Sequence, residues 1–128
     1  MSTTAANPIK ILVVDDKKVI QDFFDFTLGF YGHQITVVQD PAEVISLIKG
    51  KAFDIAFLDM IMPDKNGVEV LKDIKAIAPN LPVVMMSGYS VQDQKDEAVQ
   101  LGAKGCLKKP FELEDIRRVI KQVIDRDV

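Results

Sequence analysis

Hydrophobic positions along the chain follow two rhythms. In one, short apolar runs are bounded by turn residues; in the other, apolar residues return every third or fourth position. The runs are Ile9–Val14 (broken only by Lys10), Ile35–Val38, Phe53–Leu58, Val83–Met86 and a short one within Lys104–Lys108. Unbroken runs of this length fit strands covered on both faces, as in a parallel sheet, better than half-exposed ones. Between them the spacing predicts five helices. Val19, Ile20, Phe23, Phe24 and Leu28 mark the first, with Gly29 placed to help end it. Asp40-Pro41-Ala42-Glu43 is an acid-capped start for the second, with Val44, Ile45 and Ile48 as its buried stripe. Val68, Leu71, Ile74 and Ile77 carry the third, and Pro79-Asn80-Leu81-Pro82 breaks the chain after it. A more polar helix runs from about Val91 to Leu101 and is stopped by Gly102. In the last, Leu113, Ile116, Val119, Ile120, Val123 and Ile124 share one face while Arg117, Arg118 and Lys121 lie off it.

Strand alternating with helix five times, without repeats or linkers, predicts an α/β fold: a doubly wound parallel sheet with right-handed crossovers and helices on both faces. The strand order 2-1-3-4-5 is taken over from known five-stranded sheets of this kind rather than deduced from these residues. Under that order Asp15 and Asp16, at the end of strand 1, fall beside Asp59, at the end of strand 3. Ligands of such sheets bind at the carboxyl ends of the strands, where loops are free of packing duty and helix N-termini point their amides. Ser87 and Lys109 follow strands 4 and 5 and reach the same edge.

Three neighbouring carboxylates raise one another's pKa unless a cation lies among them. Mg²⁺ suits such a site, since it takes oxygen ligands, keeps several waters and typically shares one or two carboxylates with phosphate oxygens. A carboxylate can itself be the nucleophile toward phosphorus, with the metal and a lysine neutralising the transferring oxygens. Taken singly, Asp16 is equally a helix N-cap, Asp59 a turn residue, Ser87 a loop hydroxyl and Lys109 a solvated charge. Their joint placement at the ends of strands 1, 3, 4 and 5 favours a shared site.

Composition narrows the setting. The 128 residues carry 16 Lys and Arg against 19 Asp and Glu, a net charge of -3, which gives no general attraction to nucleic acid or anionic lipid. A single cysteine, Cys106, excludes an internal disulfide and a multi-cysteine metal site, and points to a reducing compartment. Met1–Pro8 is short and polar, unlike a secretory signal, and no run approaches the roughly 18 to 20 apolar residues of a membrane span. A cytoplasmic location is the expectation.

Leu12-Val13-Val14-Asp15-Asp16, Leu58-Asp59-Met60-Ile61-Met62-Pro63 with Gly67, Met86-Ser87-Gly88, and Leu101-Gly102-Ala103 leading to Lys109-Pro110-Phe111 together resemble the receiver domain of two-component response regulators, of the chemotaxis-regulator type. The likeness runs from Ile9 to about Ile124. It implies a flavodoxin-like sheet and a phosphorelay switch in bacterial-type signalling. Asp59 would become the 4-aspartylphosphate, taking its phosphoryl group from a sensor histidine kinase or a histidine phosphotransfer protein. Asp16 would ligate Mg²⁺ directly and Asp15 mostly through water, with the backbone carbonyl of Ile61 completing the protein ligands. Ser87 would bind the phosphoryl group and Lys109 would pair with its oxygens; a cis Lys109-Pro110 bond is expected. Output to a downstream domain or protein would pass through helix 4, strand 5 and helix 5, with phosphorylation-dependent dimerisation as a further expectation. Ile61 and Tyr89 would flank the approach of the hydrolytic water.

One position departs from the family pattern. Receivers usually carry Tyr or Phe three residues before the lysine, and its rotation reports phosphorylation; here Cys106 stands there, leaving Ser87 and Tyr89 to carry the switch. Free cysteines in strands are mostly small buried hydrophobes rather than redox sensors. His33, the only histidine, falls in the loop before strand 2 at the amino end of the sheet and reads as a solvated residue. The competing readings are a Mg²⁺-dependent phosphohydrolase and a degenerate receiver that only binds partners. Hydrolases of the haloacid dehalogenase type place Asp-x-Asp after strand 1 and need substrate-enclosing material, against the adjacent Asp15-Asp16 here. A degenerate receiver would have lost an acid or the lysine. The expected organisation is a polar tail over residues 1–8, a receiver domain over 9–125 and an end segment over 126–128, as a stand-alone receiver or part of a longer regulator.

Overall fold

The five apolar runs become five parallel strands: β1 (Lys10–Val14), β2 (Gln34–Val38), β3 (Ile55–Asp59), β4 (Val83–Ser87) and β5 (Gly105–Lys108). This computed structural model describes residues 7–62, 65–88 and 92–128, with backbone alone at 92–94. The strand order is β2-β1-β3-β4-β5. The register aligns Val14 with Val38 and Leu58, Asp59 with Met86, and Ser87 with Lys108, so the polar strand ends lie along one edge.

Successive side chains of a strand point to opposite faces, and here they feed two separate apolar clusters. Leu12, Val14, Ala56, Leu58, Val83 and Met85 pack with helices α2 (Val44–Gly50), α3 (Gly67–Ile77) and α4 (Gln92–Gln100). Ile11, Val13, Ile55, Phe57, Val84 and Met86 pack with α1 (Lys18–Phe24) and α5 (Leu113–Ile124). Burial of β1, β3 and β4 on both faces is the reason their sequences show no polar alternation.

The helices depart from the sequence reading in detail. α1 runs on through a π-helical turn, Asp25–Gly29. The Thr27 hydroxyl donates to the Phe23 carbonyl at 2.6 Å, drawing that acceptor aside, and the Phe30 N–H then reaches the Asp25 carbonyl at 3.0 Å. Val19, expected on the buried stripe, lies in the first turn and is exposed, as are Phe26 and Phe30. Leu47 rather than Ile45 joins Val44 and Ile48 in the core, and Ile77, the last residue of α3, extends past it into solvent. The carboxylate of Asp40 accepts from the Ala42 N–H at 3.0 Å across a 3₁₀ turn that precedes α2. α5 begins with a reciprocal capping box between Glu112 and Asp115, a signal in plain view in the sequence that hydrophobic spacing alone passes over. The Lys109-Pro110 peptide is cis, as the resemblance implied.

His33 is a correction. It is buried, not solvated: its Nδ1 accepts from the Ile9 N–H at 3.1 Å, so it closes the amino end of the sheet. Its short loop tucks under β1 because the His33 N–H bonds to the Leu28 carbonyl and the Gln34 N–H to the Ile9 carbonyl.

Candidate functional site

The site begins with how β3 ends. After Asp59 the chain turns back, and the Gly67 N–H donates to the Met60 carbonyl at 2.9 Å. A Cβ at position 67 would stand 2.6 Å from Met60 Cα and closer still to the Asp59 carbonyl oxygen, so only glycine lets the start of α3 press against the strand end. Asn66 caps α3 by accepting from the Val68 N–H at 2.7 Å. The Ile61 N–H donates to Asp59 Oδ1 at 3.3 Å and helps hold the carboxylate toward the crevice.

From β1 come Asp15 and Asp16. The Asp15 side chain is fully buried; Oδ1 accepts from the Lys17 N–H at 2.8 Å and Oδ2 from Lys109 Nζ at 2.8 Å. Its backbone carbonyl accepts from Gln21 Nε2, itself buried, at 2.8 Å. Asp16 is half-buried and the most exposed of the three acids. Lys109 also reaches Asp59 Oδ1 at 3.4 Å, so one largely buried ammonium holds two carboxylates from different strands. One oxygen from each of Asp15, Asp16 and Asp59 lies within 4.8 Å of the others. Hard oxygen donors at this spacing, two of them withdrawn from bulk water, fit a divalent ion such as Mg²⁺, with Asp16 the most accessible ligand.

A second lysine, missed by the sequence reading, enters this cluster. Lys17 Nζ lies 3.1 Å from Asp59 Oδ2, 3.3 Å from Asp16 Oδ1 and 4.0 Å from Asp15 Oδ1. Partial burial pushes its pKa down, but the hydrogen bond and charge of Asp59, with Asp15 and Asp16, outweigh that and hold it above the ordinary lysine value. The available signal was a cation directly after Asp15-Asp16 at a helix start, where lysine is unfavourable toward the helix dipole. Gln21 was likewise legible only as a lone polar residue on an apolar stripe.

Ser87 is buried at the end of β4, and its carbonyl accepts from the Lys109 N–H at 2.6 Å. Its hydroxyl is 3.7 Å from Cys106 Sγ on β5. Beyond Cys106, between β4, β5 and α4, lies a cavity of about 170 Å³ lined in part by Met85, Ala98, Val99 and Ala103, in a place where a larger side chain at 106 would have room. Ile61 is exposed beside Asp59. Tyr89 lies outside the described residues. No helix among the described residues is long and apolar enough to cross a membrane.

Comparison with known proteins speaks to family and fold. The chain matches the response regulator receiver domain family over residues 11–121. It is 29% identical over 119 residues to the response regulator MprA of Mycobacterium sp. (strain KMS), covering 93% of this chain and 52% of that protein. It therefore spans about half the length of the MprA regulators it matches. It is 30% identical over 115 residues to sporulation initiation phosphotransferase F of Bacillus subtilis (strain 168), covering 90% of this chain and 93% of that one. Among solved structures, the chemotaxis protein CheY4 of Vibrio cholerae superposes with a TM-score of 0.85 at 27% identity, over 91% of this chain and 99% of that chain.

Proposed function

The chain belongs to the response regulator receiver domain family, a phosphorylation-dependent signalling module, and on that footing we propose that Asp59 is its phosphoryl acceptor. The observation that carries this is the environment of Asp59: a carboxylate at the end of a central strand, 3% exposed, within reach of Lys109 and beside two further acids. A phosphohistidine of a sensor kinase or phosphotransfer protein is the donor this chemistry suits. An Asp59 carboxylate oxygen attacks phosphorus, the P–N bond breaks, and the imidazole leaves with the electron pair and takes up a proton. Lys109 pairs with the phosphoryl oxygens as their charge develops, and the Ser87 hydroxyl donates to the group once it has arrived. Asp16 and Asp59, with the Ile61 carbonyl, would hold Mg²⁺, and Asp15, whose two oxygens already accept from Lys17 and Lys109, acts at longer range. Bound there, the ion supplies positive charge to the phosphoryl oxygens.

The Ser87–Cys106 contact supports a switch route that differs from the usual one. Ser87 and Cys106 are in contact, and the cavity behind Cys106 leaves α4 room to shift when Ser87 moves toward a phosphoryl group. Such movement biases a pre-existing two-state equilibrium of the face made by α4, β5 and α5, through which a downstream partner, an output domain or a second copy would read the state. Ile61 offers a hydrolytic water no hydrogen bond and Tyr89 is bulky, which favours slow loss of phosphate.

The test is incubation with a small phosphodonor and Mg²⁺ followed by intact-mass measurement. One phosphate adduct is expected in the wild type and none in Asp59→Asn, with slow decay of the adduct after donor removal. Undiminished labelling of Asp59→Asn moves the acceptor elsewhere. Steady turnover of the donor without an adduct favours the hydrolase reading.

A further inference from the structure

The nucleophile proposed above has its two oxygens claimed by two different lysines. Lys109 holds Oδ1 and Lys17 holds Oδ2. The lysines differ in how they are kept. The Lys109 side chain is 16% exposed and also bonds the fully buried Asp15, so removing it would leave buried charge uncompensated. The Lys17 side chain is 51% exposed; its backbone is fixed by the N–H bond to Asp15 Oδ1 at 2.8 Å, while its ammonium is held by the acids it pairs with. Its ammonium can therefore leave for water without unpacking anything.

Lys17 also occupies the N-cap position of α1, in extended backbone conformation and with no side-chain cap hydrogen bond. Ser, Thr, Asn or Asp serve there, and a cation faces the wrong end of the helix dipole. Helix formation does not account for a lysine at this position, whereas the three carboxylates its ammonium meets do.

We infer that Lys17 is a tethered counter-ion that competes with the divalent metal for Asp16 and Asp59. In the metal-free protein it neutralises the acids and protects the strand ends from mutual repulsion. A divalent ion on the same oxygens and an ammonium within about 4 Å repel each other strongly in a partly desolvated site, so metal entry requires the Lys17 side chain to swing out. Lys109 stays in place for the phosphoryl group. Lys17 is thus a positioning residue that sets metal affinity, and through it the ease with which this receiver is armed.

This inference rests on the metal site proposed above, and its test separates the two. Mg²⁺ is titrated calorimetrically into purified wild type, Lys17→Met and Lys17→Arg, and the thermal midpoint of each is recorded with chelator and with excess Mg²⁺. Lys17→Met is expected to bind Mg²⁺ about ten-fold more tightly, the scale of losing one competing charge-assisted contact. Its metal-free midpoint should fall, so that its gain on adding Mg²⁺ exceeds that of wild type. Lys17→Arg should stay close to wild type. Equal or weaker affinity in Lys17→Met, with wild type binding normally, overturns the role of Lys17 alone. Absence of Mg²⁺ binding in all three overturns the metal site and this inference with it.

Discussion

The imidazole of His33 has one nitrogen committed to the Ile9 N–H and the other, Nε2, buried without a partner among the described residues; an Nδ1 that accepts leaves the proton of the neutral form on Nε2. Burial first, then the charges of Arg126 and Arg117, hold its pKa below the ordinary histidine value of 6.5. The folded state thus binds fewer protons than the unfolded chain over this range. The contribution is whole above pH 6.5, the unfolded value, and is lost as pH falls through the depressed folded one. Urea unfolding at about pH 7.5 and about pH 5.5 should show a larger loss for wild type than for His33→Asn, whose amide oxygen can still accept from Ile9. Equal losses would remove His33 as the cause. The sequence placed this residue at the correct end of the sheet but in solvent, because its burial depends on a turn that folds under β1, and no local pattern encodes that. Lys17 and Gln21 escaped notice for a related reason: Lys17 joins its neighbours Asp15 and Asp16 to Asp59 on another strand, and Gln21 bonds a backbone carbonyl. Asp15, Asp16, Asp59, Ser87 and Lys109 were legible because each directly follows a recognisable strand.

At the scale of elements, the joint between β3 and α3 leaves less room for a Cβ than any other glycine position compared among the described residues. A Cβ on Gly67 would meet backbone of Asp59 and Met60, which cannot step aside as a flexible side chain can. Gly67→Ala is expected to cost about 1 to 3 kcal/mol, seen as a fall in the thermal midpoint on the order of 5 °C. Because one of the atoms met is the carbonyl oxygen of Asp59, the proposed acceptor, and the others are backbone of its neighbour Met60, the rate of labelling by a small phosphodonor should fall too. A variant as stable and as readily labelled as wild type would mean the contact relaxes at no cost. Element identity was readable throughout: five apolar runs and five helical spacings correspond to what is observed. Their ends were less so. The π-helical turn after α1 depends on Thr27 reaching the Phe23 carbonyl, and the 3₁₀ turn before α2 on how Asp40 caps; both are hydrogen-bond choices that hydrophobic spacing does not register.

For the whole molecule, strand order was carried in from sheets of the same kind, and the observed β2-β1-β3-β4-β5 agrees with it. What the sequence could not supply was the division of the helices, α1 and α5 on one face and α2, α3 and α4 on the other. That division sets an expectation for where phosphorylation would be felt. Methyl NMR spectra taken before and after labelling should show the larger shifts at Ala98 and Met85, near the Cys106 cavity, and small ones at Ile11 and Leu28, on the α1 side. Comparable shifts in both sets would contradict this. β1, β3 and β4, buried on both sides, act as a bulkhead between two apolar compartments, and β5 contributes to each, with Cys106 in one and Leu107 in the other. Rearrangement behind Cys106 is thereby insulated from the α1 side. A substitution that reshapes the readout surface around α4 therefore need not disturb the packing of α1, because the side chains involved stand on opposite faces of the same strands.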